Sequence, residues 1–405
     1  MFWERQLDTF VKGISTRADV PLTLKLWNGG EYALGRTPKV TLTLPGAKAL
    51  RFLVPPSLDN LAEGYVRGHF DVAGKAADII EAASGLARAG VQQTGRFGRF
   101  IKAAVHTRSR DAEDIAHHYD VSNDFYRLWL DPQMVYSCAY FPNATEDLAA
   151  AQTAKLDHIL NKIMLKPGDR LLDIGCGWGA LAVRAAQRGA RVTGITLSQN
   201  QFDYARERVA REGLAGQVEI RLQDYRDVED SYDKITSVGM FEHVGLNNLR
   251  LYFSTIRKLL ADGGLAMNHG ITSTDPENGA TPYGASEFIE KYVFPHGELP
   301  HLSLALKEME AAGLETLDVE SLRRHYARTL QIWAENYEAQ TDAIRQLVPD
   351  LTYRVWRVYL AGCAYAFQQN WVSIYQVLVC KAGAESYLNP APWNRGYMYG
   401  KSDAA

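Results

Sequence analysis

The chain has 405 residues, 46% of them apolar and 22% charged, which suits a globular protein with one large core plus a smaller domain. A net charge of -3 supplies no overall field to attract nucleic acid or an anionic membrane, so any such attraction must be local. Cys138, Cys176, Cys363 and Cys380 show neither disulfide pairing nor a metal knuckle, the N-terminus lacks the apolar region of a secretion signal, and no uncharged stretch approaches the ~20 residues of a spanning helix; a metal-free, soluble, cytoplasmic protein is expected.

In chain order, residues 1 to about 110 carry short alternating runs, Leu22-Thr23-Leu24-Lys25-Leu26 and Val40-Thr41-Leu42-Thr43-Leu44, punctuated by Gly29-Gly30 and Pro45-Gly46. Alternation between turn formers predicts a small β structure. The Ala, Ile and Leu spacing from Asp71 to Leu86 predicts a helix packed on it. The stretch 95–110 contains no acidic residue. As a helix it would gather Phe97, Phe100, Ile101, Ala104 and Val105 on one face and Arg96, Arg99 and Lys102 on another, a form that can rest on a membrane surface. A solvated interdomain linker fits the same pattern.

From about residue 150 the pattern becomes regular. A helix over 148–165 leads into strands at 170–174, 191–196, 218–222, 234–238 and 265–269, each preceded by a helical stretch. Two more strands are predicted at 314–319 and 375–380, separated by a helical region over 326–367. Alternating β and α elements imply an α/β protein with a doubly wound, largely parallel sheet, here of seven strands, beside a smaller N-terminal α+β domain.

The first strand of that sheet runs into Asp173-Ile174-Gly175-Cys176-Gly177-Trp178-Gly179. Ligands of such sheets sit at the carboxyl ends of the strands, and glycines there let a ligand approach the main chain. Dinucleotide folds use the same device. Three details favour S-adenosylmethionine: the G-x-G-x-G spacing, Asp173 two residues before the first glycine, and Thr196 where a nicotinamide enzyme carries its ribose-binding acid. Asp173 can pair with the ammonium of the cofactor's methionine portion, or brace the turn by accepting backbone N–H bonds; the two roles are compatible.

Four further segments carry a resemblance: His118-Tyr119-Asp120-Val121-Ser122-Asn123-Asp124-Phe125-Tyr126, Tyr136-Ser137-Cys138-Ala139-Tyr140, Met240-Phe241-Glu242-His243-Val244-Gly245 and Tyr292-Val293-Phe294-Pro295-His296-Gly297. With the Gly-rich turn and Thr196-Leu197-Ser198-Gln199-Asn200-Gln201, the region from about 115 to 380 resembles the cyclopropane-fatty-acid synthase and mycolic acid cyclopropane synthase family. The segment Leu61-Ala62-Glu63-Gly64-Tyr65-Val66-Arg67-Gly68-His69-Phe70 is similar to a motif in the N-terminal domain of the phospholipid-acting members. The resemblance implies a class I methyltransferase fold, with a lipid-associated domain over 1–110, an S-adenosylmethionine-dependent catalytic domain over 111–390 and a tail over 391–405. It implies cofactor contacts at Tyr136, Ser137, Gly175, Thr196, Gln201 and Tyr225, to which the turn adds Asp173 and Gly177. Tyr225 stands where relatives often carry Trp.

An isolated alkene has no acidic proton, so its π electrons must attack the sulfonium methyl directly and leave a carbocation. Aromatic faces can stabilise that cation, by roughly 0.5 to 2 kcal/mol each, and exclude water. Tyr140, Tyr292, Phe294 and Tyr326 are the candidates; aromatics near strand ends are as often core. Ring closure then needs a base too weak a nucleophile to capture the cation. The resemblance implies bound bicarbonate, held by side chains of Glu242, His269 and Tyr326 and backbone groups of Cys138 and Ile271. Bicarbonate both donates and accepts, so Glu242 can accept from its hydroxyl while His269 and Tyr326 donate to it. A buried acid and histidine could equally form a structural pair. His243 and His325 are expected to brace neighbours or face solvent.

The expected substrate is a membrane phospholipid with unsaturated acyl chains, reached by transient contact at the inner face of the membrane, with no nucleic-acid partner. Homodimerisation is implied by the resemblance, since bacterial members often dimerise. Methylation without ring closure, small-molecule N-methylation and noncatalytic lipid binding are the competing readings.

Overall fold

The computed structural model describes residues 11, 13, 14, 18–54, 56–90, 121–143, 146–277, 286–295, 297–383 and 391–399. The basic stretch 95–110, residues 118–120 of the first motif and His296 of the last lie outside the described residues. The chain forms two compact units: one comprises 1–101, 280–295 and 330–371, the other 102–279, 296–329 and 372–405. The first unit therefore draws in two later segments beyond the 1–110 division expected from the sequence.

In the first unit, β1 (Leu22–Lys25) pairs in parallel with β3 (Val40–Thr43), and β2 (Glu31–Ala33) and β4 (Asp71–Ala73) flank them antiparallel, in the order β2-β1-β3-β4. Leu22, Leu24, Val40 and Leu42 are buried, the alternation expected of strands with one covered face. Four such short strands enclose little apolar area. The helix Asp350–Gln368 supplies more, packing against helices Ala76–Gly90 and Leu58–Val66. One expectation needs correcting here. Asp71–Ala73 is a strand, and the helix predicted from Asp71 starts only at Ala76, because Gly74 at φ 139° turns the chain.

The 61–70 motif also finds a structural account within this unit. Ser57 caps helix Leu58–Val66 by accepting from Asn60 N–H, an arrangement worth about 1 kcal/mol. A Cβ on Gly64 would overlap the Phe70 ring. Glu63 accepts from Lys291 Nζ at 2.9 Å and from the Tyr292 hydroxyl at 2.7 Å, and pairs with Arg67.

The second unit is built on a seven-stranded sheet: β5 (Arg170–Ile174), β6 (Arg191–Thr196), β7 (Val218–Leu222), β8 (Tyr232–Val238), β9 (Leu260–Ser273), β10 (Leu314–Ser321) and β11 (Val372–Lys381). Their order is β10-β11-β9-β8-β5-β6-β7. Only β11 runs antiparallel to its neighbours β9 and β10. On β5, Leu171 enters one buried cluster while Leu172 and Ile174 enter another. Successive side chains of a strand point to opposite faces, so β5 is covered on both.

The region predicted as one helical stretch over 326–367 is three helices, Arg323–Ala339, Thr341–Leu347 and Asp350–Gln368. Residues 391–399 are not a free tail. Met398 is buried in the core of the second unit, and its carbonyl accepts from Asn161 at 3.4 Å on helix Leu148–Lys162. Among the described residues, no helix is long and apolar enough to cross a membrane.

Candidate active site

The Gly-rich turn follows β5 and is tied to β6, because Gly175 and Cys176 both donate N–H bonds to the Ile195 carbonyl, at 3.0 and 2.9 Å. Gly177 has φ +55° and open space where a Cβ would stand, so its main chain is accessible to a ligand. Trp178 is pinned from outside the sheet: its indole N–H donates to Asn123 Oδ1 at 2.8 Å, on a short helix that Ser122 caps. The Ser122-Asn123 motif thus acts by holding the turn.

Asp173 sits at the end of β5, buried, accepting from the Thr236 hydroxyl at 2.8 Å. Burial pushes its carboxyl up to about 6, opposed by that hydrogen bond and by the charge of Lys155. Thr196 donates to Gln201 Oε1 at 3.0 Å, and Ser198 caps the helix that carries Gln201. Tyr225 packs edge-on against Tyr252, with ring centroids 5.2 Å apart. Tyr136, Ser137, Asp173, Gly175, Gly177, Thr196, Gln201 and Tyr225 all line one cleft at the carboxyl end of the sheet. An open glycine cradle facing a buried carboxylate suits a ligand with a cationic amino-acid group.

Among the lining residues not foreseen, two carry basic side chains. His243, expected to brace or face solvent, lines the cleft. Lys155 does too, only 2% exposed, its Nζ donating to Ser137 Oγ at 2.8 Å. Burial lowers its ammonium to about 8. Little in the sequence signalled this: Leu148, Gln152, Lys155, Ile159 and Lys162 share one helix face, but it holds only two apolar residues, and the burial of that face shows only in the structure.

The second group of expected residues gathers around the ends of β8 and β9. Phe241 lies so close to Gly270 that a Cβ there would overlap its ring, and this packing brings the next residue, Glu242, against β9. Glu242 Oε1 accepts from Ile271 N–H at 2.6 Å, so the two expected residues meet through that amide. Burial raises the Glu242 carboxyl to about 7, and this hydrogen bond opposes the rise.

His269 faces Gln376 across the β9–β11 ladder, with the Gln376 amide nitrogen 3.0 Å from its Nδ1. Burial drives the imidazole well below its ordinary range, so the ring is neutral. With Nδ1 accepting from that amide, the ring proton sits on Nε2. Glu242 Oε2 and His269 Nε2 are both buried without a hydrogen-bond partner among the described residues, as are Asn268 Oδ1 and Thr272 Oγ1 on the same strand. Buried polar atoms left unpaired are costly, roughly 1–3 kcal/mol each. A small ion with both donor and acceptor oxygens would answer to Glu242 Oε2 and His269 Nε2; Asn268 and Thr272 alternate to the other face of β9 and stand apart from it.

Cys138 and Tyr326 come together through a loop laid on a helix start. Cys138 Sγ faces the Leu322 carbonyl at 3.8 Å, Ala139 N–H donates to Thr329 Oγ1 at 3.1 Å, and Phe141 N–H donates to His325 Nδ1 at 3.0 Å. His325 is thus a brace. Burial pushes the Cys138 thiol far above its usual range, so it has no thiolate chemistry. Of the four candidate aromatics, Tyr140 is stacked on His158 (4.3 Å) and His325 (4.9 Å), which commits its ring elsewhere. Tyr292 and Phe294 belong to the first unit, where Tyr292 bonds Glu63 and Phe294 packs on Tyr359. Tyr140 and Tyr326 both lie in the second unit; Tyr326 is buried, on the helix whose first turns the Cys138 loop contacts.

A profile of the mycolic acid cyclopropane synthetase family matches residues 106–377, and a domain of unknown function matches residues 9–94. The chain belongs to the mycolic acid cyclopropane synthetase family. Over 383 residues it is 46% identical to a probable fatty acid methyltransferase of Pseudomonas putida, covering 94% of this chain and 96% of that one. Over 275 residues it is 40% identical to the cyclopropane-fatty-acyl-phospholipid synthase of Escherichia coli, covering 68% and 69%. Among solved structures it matches mycolic acid cyclopropane synthase CmaA1 complexed with SAH and CTAB, with a TM-score of 0.63 and 35% identity over 66% of this chain and 97% of that one. The fold is that of class I methyltransferases, and the family is one of S-adenosylmethionine-dependent methyltransferases.

Proposed function

We propose that this family member is a cyclopropane fatty acid synthase, adding a methylene from S-adenosylmethionine across the cis double bond of an unsaturated phospholipid acyl chain. The observation that carries this reading is the unpartnered pair Glu242 Oε2 and His269 Nε2, buried beside the cofactor cleft's strand ends. S-adenosylmethionine supplies an electrophilic methyl group, and bicarbonate a base that is a poor nucleophile.

Asp173 and the glycine cradle hold the amino-acid end of the cofactor, and Tyr225 closes against its flat portion. The alkene's π electrons would form the new C–C bond as the methyl C–S bond breaks, its electron pair staying on sulfur in S-adenosylhomocysteine, and a carbocation would be left on the neighbouring carbon, next to the Tyr326 face. A proton then leaves the added methyl, and its C–H electrons close the ring. Glu242, His269 and Tyr326 hold the base for that step: the neutral His269 donates through Nε2 and Glu242 takes the hydroxyl hydrogen. The alkene sits within a membrane lipid, so the protein must meet the bilayer surface transiently.

A second reading shares the first step and omits ring closure, giving a methyl-branched or methylene chain. The long, 46% identical relative named a probable fatty acid methyltransferase favours it. Expression in bacteria rich in monounsaturated phospholipid, followed by mass spectrometry of deuterated acyl chains, separates the two. Gain of one CH₂ with both alkene hydrogens retained and no new double bond is the expected result. Glu242→Gln should keep cofactor binding and lose most ring formation; full activity in that variant would remove the base-holding role.

A further inference from the structure

The cofactor cleft contains a buried cation that neither the proposed chemistry nor the sequence motifs use. Lys155 is in the interior of helix Leu148–Lys162, buried, and its Nζ reaches the cleft at Ser137. Burying an ammonium costs several kcal/mol unless charge or hydrogen bonding compensates it, so the position calls for a reason. An ammonium can only donate, so the Ser137 Oγ it meets must be accepting. The single hydroxyl hydrogen of Ser137 is then left to point elsewhere, and Ser137 lines the cleft. The opposite element of the cleft presents Asp173, an acceptor.

The loop between them is held firmly. Asp131 accepts from Val135 N–H at 2.8 Å and from Gln133 N–H at 3.0 Å, and Gln152 Nε2 donates to the Ser137 carbonyl at 2.9 Å. One cleft therefore holds a cation, an O–H donor and a carboxylate on separate elements, with Lys155 and Asp173 within each other's field, a set of charges that can read an amino-acid zwitterion.

We propose that Lys155 is a positioning residue of the cofactor site: held on Ser137, it orients that hydroxyl and supplies the positive field for the cofactor's methionine carboxylate, while Asp173 takes the ammonium. The proposal rests on the S-adenosylmethionine reading of the cleft. The groups that face Lys155 are Asp131, Cys138 and Asp173, with His269 also within its field. Of these, Asp173 titrates at about 6 and Lys155 at about 8, both shifted chiefly by burial. Below the first value the ammonium's partner is lost, and above the second the carboxylate's is lost. Affinity for the zwitterion is therefore expected to have an acidic and an alkaline limb.

The test is calorimetric binding of S-adenosylhomocysteine and of 5′-methylthioadenosine, which shares the adenosine and lacks the amino-acid group. Lys155→Met keeps the length and apolar contacts of the stem. It should weaken S-adenosylhomocysteine binding about tenfold or more, the effect of losing one charge-assisted hydrogen bond, and leave methylthioadenosine within about twofold. In Lys155→Met the alkaline limb should shrink to the part set by the ligand's own α-amino group, while an acidic limb remains, moved upward because Lys155 no longer holds the Asp173 carboxyl down. Equal weakening of both ligands, or an unchanged alkaline limb, would assign Lys155 a packing role and overturn the proposal. Should Lys155→Met fail to fold, Ser137→Ala carries the same expectation of selective loss, and an equal loss for both ligands there overturns it. Failure of the wild-type protein to bind S-adenosylhomocysteine at all would overturn the cofactor reading instead.

Discussion

Glu242 shows how a single side chain ties chemistry to stability. Removing its carboxyl from water raises it from 4.5 to about 7, so the folded state favours the protonated acid. Below about pH 4.5 both folded and unfolded chains hold the proton and no penalty exists. As pH rises to 7 the folded chain must either keep the proton or bury a charge, and stability is lost over that window. Glu242→Gln removes the titration and keeps an oxygen for Ile271 N–H. Its melting temperature is expected to match wild type near pH 4.5 and to exceed it at pH 8, by up to about 3 kcal/mol in stability, while ring formation falls. Thermal scans at the two pH values check this, and a pH-independent difference would count against a buried, titrating acid. Stability is thereby given up for a group that function requires.

The scale of elements explains how that group reaches its place. The turn 240–243 is not bonded to β9 by a ladder; it is seated there by Phe241 on the bare backbone of Gly270, after which Glu242 finds Ile271. A methyl at position 270 has nowhere to go, since the atoms it meets are a buried aromatic ring. Gly270→Ala should therefore destabilise the protein by about 1–3 kcal/mol through overpacking. It should also reduce product formation more than cofactor binding, because the cofactor cleft lies on the other side of the turn's residues, at Gly239 and Met240. Parallel measurements of denaturant unfolding, S-adenosylhomocysteine binding and lipid product check it; equal loss of binding and product would mean that the turn collapses as a whole.

Across the whole second unit, the C-terminal segment completes a charged interior. Lys162 is fully buried and donates to Glu320 at 2.6 Å, where His158 Nε2 also bonds at 2.7 Å. Despite burial, these partners hold the Glu320 carboxyl down to about 2. Asp318, beside Lys162, pairs with Arg395, and Met398 covers the cluster from the same segment. Removing one member of a buried ion network leaves its partners uncompensated. Deleting residues 391–405 is therefore expected to lower the melting temperature by about 5 °C or more, with an added loss as Met398 leaves the core. A truncated chain that melts as wild type would show the segment to be dispensable.

The strands of the large sheet were legible from local pattern: β5, central and covered on both faces, is a short apolar run between turn formers, and β7, at the sheet's edge, alternates; β5, β6 and β7 match their expected ranges residue for residue. Glycines and an acid at a strand end pointed to the cleft for the same local reason. The motif residues Glu242, His269, Cys138 and Tyr326 were nameable, yet their roles depended on partners far along the chain: Ile271 for Glu242, Gln376 for His269, Leu322 and Thr329 for the loop of Cys138. The stacking of Tyr140 was not readable from sequence, because its histidines lie 18 and 185 positions away. Lys155 looked like any helical lysine until the helix chose its buried face. Local pattern determines elements, since the backbone responds to its nearest neighbours. Which polar atoms end unpaired or facing one another is decided only when the sheet closes and burial sets the strength of every charge.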